Sequence, residues 1–436
     1  MLADKNRQLN HGLELSADGK TLYASSSDAV FSWDYDATAA KRTTSDPVTL
    51  VSGMANTDHT TRTLLLSRKN PGMIIVSRGS TENVDPLALD INSGHSQIKA
   101  FNLTARNGTT YDFVRNGALL GWGLRNSVGV AEDPTAGGIW SVENSVDNMD
   151  RDGTDVHQDN PGEELNFHGY LNGTQDARQG SNYGYPNCYA AWDTSEIPRA
   201  QSLGTGTQFS IGAQNATNND DICKNNFTAP IITFPAHTAP LDIKFNTQGT
   251  AAWVTFHGSW YVFLSYYLLL IPGFPVCFSG YFFLLPNTSP HPLYQGPLTK
   301  QPKTRNRNPP IGYKLSYVEY RNGWPTASAT SKTAAIDVIT HKDLSKCPGE
   351  CVRPVGLAWD SKGRLFMSSD TTGEIWVITR NDGGSVNTAT QPSQTGSGSP
   401  ATSSQASAAA PALEGSSFAK IGAVAALAVG AVQLLL

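Results

Sequence analysis

The string Asp58-His59-Thr60-Thr61-Arg62-Thr63-Leu64 sets an imidazole between a carboxylate and a guanidinium, just ahead of strand-like sequence. An imidazole has an unperturbed pKa of about 6.5, which suits His59 to accept a proton, and Asp58 or another acceptor can hold its tautomer. Leu124-Arg125-Asn126-Ser127-Val128-Gly129 leads into a second stretch of this kind, which Glu143-Asn144-Ser145-Val146 closes. Gly162-Glu163-Glu164-Leu165-Asn166 and Asn182-Tyr183-Gly184-Tyr185-Pro186 follow, the last a tight turn that packs an aromatic. His257 and Trp260 can line a substrate pocket or pack beneath it.

Five segments share one local grammar that positions these residues: an apolar start, a polar turn, then an alternating strand ending in small polar residues. They span 13–27, 63–79, 128–144, 241–257 and 354–370, with turns at Asp18-Gly19, Asn70-Pro71-Gly72, Ala136-Gly137-Gly138, Thr247-Gln248-Gly249 and Asp360-Ser361-Lys362-Gly363. Each predicts two antiparallel strands with period-2 alternation, as in Leu22 and Ala24 against Tyr23 and Ser25. One hairpin cannot bury its own face. Radial stacking of such units gives an all-β propeller with chemistry in the central funnel, whereas a β-sandwich predicts fewer and less regular repeats.

The ordered strings resemble the soluble PQQ-dependent glucose/sorbosone dehydrogenase superfamily, nearest to the fungal secreted PQQ-dependent pyranose dehydrogenases. Asp-His-x-x-Arg-x-Leu at 58–64, Leu-Arg-Asn at 124–126, Glu-Glu-Leu-Asn at 163–166, Asn-Tyr-Gly-Tyr-Pro at 182–186 and Arg353-Pro354-Val355-Gly356-Leu357 carry the resemblance, which covers about residues 10 to 380 apart from 261–305. It implies a six-bladed β-propeller, its N-terminal blade incomplete in this chain, holding pyrroloquinoline quinone (PQQ) and Ca²⁺. His59 is then the base that takes a sugar hydroxyl proton while the quinone takes the hydride. Arg62, Arg125, Asn126, His257, Trp260, Arg307, Lys314 and Arg353 are the expected cofactor contacts. The backbone carbonyls of Ser145 and Val146, where the family pattern has a Gly-Pro pair, are the expected Ca²⁺ ligands. The expected partners are a sugar and an electron acceptor such as a cytochrome or small quinone. Two rivals remain: a cell-surface propeller that binds without catalysis, and a Ca²⁺-dependent lactonase-like hydrolase, which needs carboxylates converging on the metal.

Charged residues make up only 16% of the 436 and the formal net charge is −5. With no basic stripe, a nucleic-acid-binding surface is excluded. Sequons begin at Asn102, Asn107, Asn172, Asn215 and Asn226, and a sixth at Asn287. They predict passage through the secretory pathway, and an oxidising compartment pairs Cys188 with Cys223 and Cys347 with Cys351, leaving Cys277 odd.

Three further segments stand outside the predicted propeller, which spans 1–384. Residues 385–410 form a Ser/Thr/Ala-rich stalk, and 411–436 end in an apolar tail that matches a GPI-attachment signal, so a lipid is the expected hold on the cell surface. The start, Met1-Leu2-Ala3-Asp4, lacks an apolar signal region, so a signal peptide is expected upstream. Residues 261–305 open with a 26-residue apolar run that hydropathy alone reads as a membrane span, although Pro272, Gly273 and Pro275 interrupt it. A retained intron accounts for this segment better. The codons of Trp260-Tyr261-Val262 can contain the splice donor GTATGT, Arg305 as AGG supplies the acceptor, and its 45 residues keep the frame. Excision joins His257-Gly258-Ser259-Trp260 to Asn306-Arg307 and removes Cys277.

Overall fold

The computed structural model describes residues 7–39, 41–42, 46–259, 307–380 and 383–387, together with the short pair Cys277–Phe278 and Tyr281–Phe282. Trp260, nearly all of the stalk and the whole apolar tail therefore lie outside the described residues. By internal contacts, Tyr261–Arg305 separates as a unit from the rest of the chain. Among the described residues no helix is long and apolar enough to cross a membrane.

Each of the five repeats forms the first hairpin of a sheet: Leu13–Leu15 with Thr21–Ser25, Leu64–Leu66 with Met73–Arg78, Ser127–Glu132 with Gly138–Glu143, Pro240–Phe245 with Ala251–Phe256, and Pro354–Trp359 with Leu365–Ser369. All five turns carry a glycine at positive φ: Gly19, Gly72, Gly137, Gly249 and Gly363. A side chain there would strain the turn that sets the register. Outer strands complete the sheets, such as Val30–Asp36, Gln97–Asn102, Glu163–Tyr170, Lys314–Arg321 and Glu374–Ile378. The arrangement is a β-propeller, with five blades counted among the described residues rather than the expected six.

Apolar faces of neighbouring blades bury one another. Trp140, Leu165, Phe167, Ile243, Phe245, Val254 and Tyr320 fill the space between the third and fourth sheets. Trp140 meets Phe167 at 4.9 Å and Tyr320 edge-on at 5.2 Å, pairs each worth about 0.5–1.5 kcal/mol beyond their buried area. Val128, Leu241 and Val355 meet from three successive inner strands. Polar side chains stitch neighbouring blades as well: His11 Nε2 to Thr63 Oγ1 at 3.1 Å, Thr255 Oγ1 to Val355 O at 2.6 Å, and Leu357 N to Asp242 Oδ2 at 2.7 Å.

An insertion between Glu163–Tyr170 and Ile232–Phe234 holds the one α-helix among the described residues, Asp220–Asn226, capped by the Asn219 side chain on Ile222 N. The Cys188–Cys223 disulfide and the buried Arg151–Asp220 pair at 2.7 Å pin it, and Cys347–Cys351 also forms, so both expected pairings are present. Tyr185, Tyr189 and Phe209 of this insertion pack with Ala88, Val146 and Met149. The insertion thus braces the loop that carries the expected metal ligands.

Candidate active site

In an antiparallel hairpin the start of the first strand and the end of the second lie at the same edge of the sheet. The predicted residues occupy those two places, blade after blade. His59 precedes Leu64–Leu66 and Ser80 follows Met73–Arg78; Arg125 and Asn126 precede Ser127–Glu132 and Asn144–Val146 follow Gly138–Glu143. His237 to Ala239 and His257 flank the hairpin of the fourth blade, and Arg353 and Asp370 that of the fifth. One rim of the propeller therefore collects them.

His59 is partly exposed, and its Nδ1 lies 2.8 Å from Ser80 Oγ. Ser80 donates its own hydroxyl to Glu82 O at 2.8 Å, so its oxygen accepts from Nδ1–H. That chain fixes the tautomer with the lone pair on Nε2, which has no partner among the described residues. Ser80, and not Asp58, is the tautomer partner. Burial, and then the Arg125 charge, pulls the His59 imidazole down to about 3, well below the ordinary 6.5. The ring is neutral across the physiological range.

Arg62 sits behind this group rather than at the rim. Its buried guanidinium donates to His59 O at 2.8 Å, Thr61 O at 2.6 Å and Met54 O at 2.6 Å, so it shapes the loop that presents the imidazole. Gly79 runs between His59 and Asn126: a Cβ there would stand 2.7 Å from Asn126 Oδ1 and 2.8 Å from His59 Cβ. Only glycine lets the chain pass so close.

Arg125 donates from Nε to Asn83 O at 3.1 Å and from Nη2 to Asn83 Oδ1 at 2.9 Å, with Asp147 Oδ2 at 3.5 Å. Asp147 also faces His237 Nδ1 at 3.2 Å, while His237 Nε2 meets His157 O at 2.5 Å. Both ring nitrogens point at acceptors; burial opposes a charge on His237, but the Asp147 carboxylate raises its pKa above the ordinary value. Asp147 thus stands between Arg125 and His237.

Beneath them Glu163 accepts from Ser145 N at 2.7 Å and Ala239 N at 3.3 Å, and burial pushes its carboxyl up to about 7. Glu143 accepts from Arg125 N at 2.6 Å, and Asn166 Nδ2 bridges Glu143 and Glu164 at 3.2 and 2.9 Å. Burial raises Glu143 well above the carboxylate range, with Glu164 adding to the effect.

A second group adjoins through backbone, since His257 N donates to Ala239 O at 2.9 Å and Gly258 N to Thr238 O at 3.0 Å. His257 Nε2 lies 3.1 Å from both Asp370 oxygens. Arg353 donates from Nε to His257 O at 3.3 Å and from Nη2 to Gly258 O at 3.0 Å, its guanidinium 5.7 Å from the Tyr313 ring centroid. Its Nη1 has no partner among the described residues, and neither has the Asn126 amide.

Two predicted cations are engaged elsewhere. Lys314 pairs with Asp337 at 2.8 Å over the Phe256 ring, and Arg307 pairs with Asp159 at 2.5 Å. Ser80, Asn83, Asp147, His237 and Asp370 were not expected from sequence. Asp370 and His237 hold places equivalent to named residues in other repeats, a signal that aligning the repeats provides.

The donor set fits both implied groups. Arg353 Nη1 and the Asn126 amide offer a cationic and a neutral donor to a polycarboxylate, beside the Arg125 charge, whose nitrogens are held by Asn83 and Asn144. The carbonyls of Ser145 and Val146 accept no hydrogen bond among the described residues, which leaves both lone pairs open to a hard cation that prefers oxygen ligands.

The family model described as TrAA12-like matches residues 1–381. A PQQ-dependent sugar dehydrogenase of Hypocrea jecorina is 46% identical over 375 residues, covering 85% of this chain and 74% of that protein. A PQQ-dependent pyranose dehydrogenase of Coprinopsis cinerea is 35% identical over 398 residues, covering 87% of this chain but 47% of that protein, so the chain spans about half its length. Among solved structures, the calcium structure of Trichoderma reesei Carbohydrate-Active Enzymes Family AA12 superposes with a TM-score of 0.72 at 46% identity, covering 85% of this chain and 80% of that one. The holo PQQ domain of the Coprinopsis cinerea enzyme gives 0.70 at 34% identity, covering 86% and 82%. With the repeats, the rim and these likenesses in agreement, the chain belongs to the TrAA12-like family.

Proposed function

We propose that the chain is an extracellular PQQ-dependent oxidoreductase that oxidises a hydroxyl of a pyranose or related aldose or ketoaldose and passes the electrons to a cytochrome or small quinone. The observation that carries the reading is the relay from His59 Nδ1 through Ser80 to Glu82 O, which leaves a bare, neutral Nε2 on a rim shared with Arg125 and Arg353. Two formed disulfides agree with an extracellular location.

His59 Nε2 takes the proton of the sugar hydroxyl, while Ser80 keeps Nδ1 protonated so that only one nitrogen can accept. PQQ, when bound, supplies the acceptor for the hydride leaving the sugar carbon, and Ca²⁺ a Lewis acid on its carbonyl. Arg125 and Arg353 hold its carboxylates, and Arg62 keeps the His59 loop in register. The hydrolase alternative needs carboxylates turned to a metal, whereas Glu143 and Glu163 spend oxygens on backbone N–H groups of Arg125, Ser145 and Ala239. Reconstitution with PQQ and Ca²⁺ followed by dye reduction across a sugar panel tests the reading. Reduction by at least one aldose or ketoaldose is expected, and a fully loaded protein inert to every sugar overturns it.

The intron reading is also proposed for residues 261–305. It is supported by the flanks, which meet across the segment: Ser259 N donates to Ile311 O at 2.8 Å, Ile311 N to Ser259 Oγ at 3.0 Å, and Phe256 pairs with Lys314. Sequenced transcripts are expected to join the Trp260 codon to that of Asn306. Mature messages that all retain the 135 intervening nucleotides, three for each of the 45 residues, would show the segment to be coding.

A further inference from the structure

Asn83 lies on no strand and in none of the strings that carry the chemistry, yet it touches two parts of the site at once. Its Oδ1 accepts from Arg125 Nη2 at 2.9 Å and from Asp147 N at 3.0 Å, and its Nδ2 donates to Asp147 O at 2.8 Å. Its own carbonyl accepts from Arg125 Nε at 3.1 Å. One amide side chain therefore closes both polar groups of the Asp147 backbone, as a neighbouring strand would, and half of the Arg125 fork as well. The Asp147 peptide adjoins the Val146 carbonyl, one of the two proposed for the metal.

Asn83 is itself held. The buried Tyr185 hydroxyl donates toward Glu82 O at 3.2 Å and Asn83 O at 3.1 Å while accepting from Asp85 N at 2.6 Å, and burial lifts its pKa to about 12, so it remains a donor. Asp85, fully buried, takes Thr81 N at 2.9 Å, Leu87 N at 2.9 Å and His95 Nδ1 at 2.7 Å. The same loop carries Ser80, the partner of His59. A single rigid loop thus reaches the base, the cofactor cation and the metal loop.

We infer that Asn83 is a positioning residue that locks the Arg125 guanidinium and the 145–147 backbone into one unit, so that cofactor binding and the metal loop are ordered together. The inference rests on the proposed role of Arg125 toward PQQ. Of the two bonds through Oδ1, one holds Arg125 Nη2 and the other the Asp147 N–H. Asn83→Asp keeps an oxygen for Arg125 Nη2 and Asp147 N but loses the donor to Asp147 O, whereas Asn83→Ala removes every side-chain bond.

The test is PQQ affinity in the full chain, read by quenching of tryptophan fluorescence at fixed Ca²⁺. Asn83→Ala is expected to bind about tenfold more weakly, the scale of one hydrogen bond to a charged group, and Asn83→Asp, which restores only the contacts of Oδ1, to fall between alanine and wild type. A merely structural role would not be partly rescued by a charged replacement that restores the Oδ1 contacts alone. Hydrogen exchange of the wild-type chain gives a reading that needs no variant: PQQ added in EDTA is expected to slow exchange at the Asp147 amide, although no metal then joins the two parts. A wild-type chain that binds no PQQ overturns the functional reading and this one with it. If the wild type binds PQQ, the positioning role alone fails when Asn83→Ala binds within twofold of it, when Asn83→Asp is as weak as Asn83→Ala, or when the Asp147 amide exchanges at an unchanged rate.

Discussion

His59→Ala, loaded with excess PQQ and Ca²⁺, is expected to reduce its cofactor with sugar at least about 10²-fold more slowly than the wild-type chain, the usual scale for removing a general base. The substitution leaves Arg125 and Arg353 in place, so PQQ affinity should change little. The pH behaviour follows from the same geometry. A His59 imidazole near pKa 3 is in its proton-accepting form throughout pH 5–8. The rise in activity through pH 6.5 that an unperturbed histidine would give is therefore not expected from this group. In the cofactor-free chain the His59 ring signals should stay those of neutral imidazole until about pH 4. Single-turnover reduction by His59→Ala at the wild-type rate would remove His59 as the base, and the assignment built on it would fall.

The five hairpins were readable because strand alternation and turn glycines are local properties. Leu22 and Ala24 on one face, and Gly19, Gly72, Gly137, Gly249 and Gly363 at the turns, need no knowledge of distant chain. The rim followed from them, since His59, Arg125 and Arg353 each stand just before a first strand. The partners were hidden because they arrive from elsewhere: Ser80 lies 21 residues from His59, Asn83 42 from Arg125, and Asp370 113 from His257. Asp58 was the obvious neighbour of His59, but the side chain that reaches the ring comes from Ser80, at the far end of the hairpin. Burial decided the rest. Arg62 reads as a ligand-binding cation in sequence, yet the loop that presents His59 needs three carbonyls capped from inside, and Arg62 is the donor that reaches them.

Arg353→Ala is expected to show the converse of His59→Ala: PQQ affinity falls by roughly 10- to 100-fold, from the loss of a charge-assisted bond worth about 1.5–3 kcal/mol, while the proton relay stays intact. The side chain is prepared for that task. Its Nε and Nη2 are held on the carbonyls of His257 and Gly258 and its plane lies against Tyr313, which leaves Nη1 aimed without further ordering cost. His257 is kept in place by Asp370 from the same blade as Arg353, so the truncation leaves that contact intact. Arg353→Lys retains the charge but cannot span both carbonyls, and should fall between alanine and wild type. Saturating PQQ should then restore single-turnover reduction in Arg353→Ala and fail to do so in His59→Ala. That crossed pattern separates binding from proton transfer. If Arg353→Ala binds PQQ as tightly as the wild-type chain, the anion is held by other groups, and the fifth blade supplies structure to the site rather than a contact.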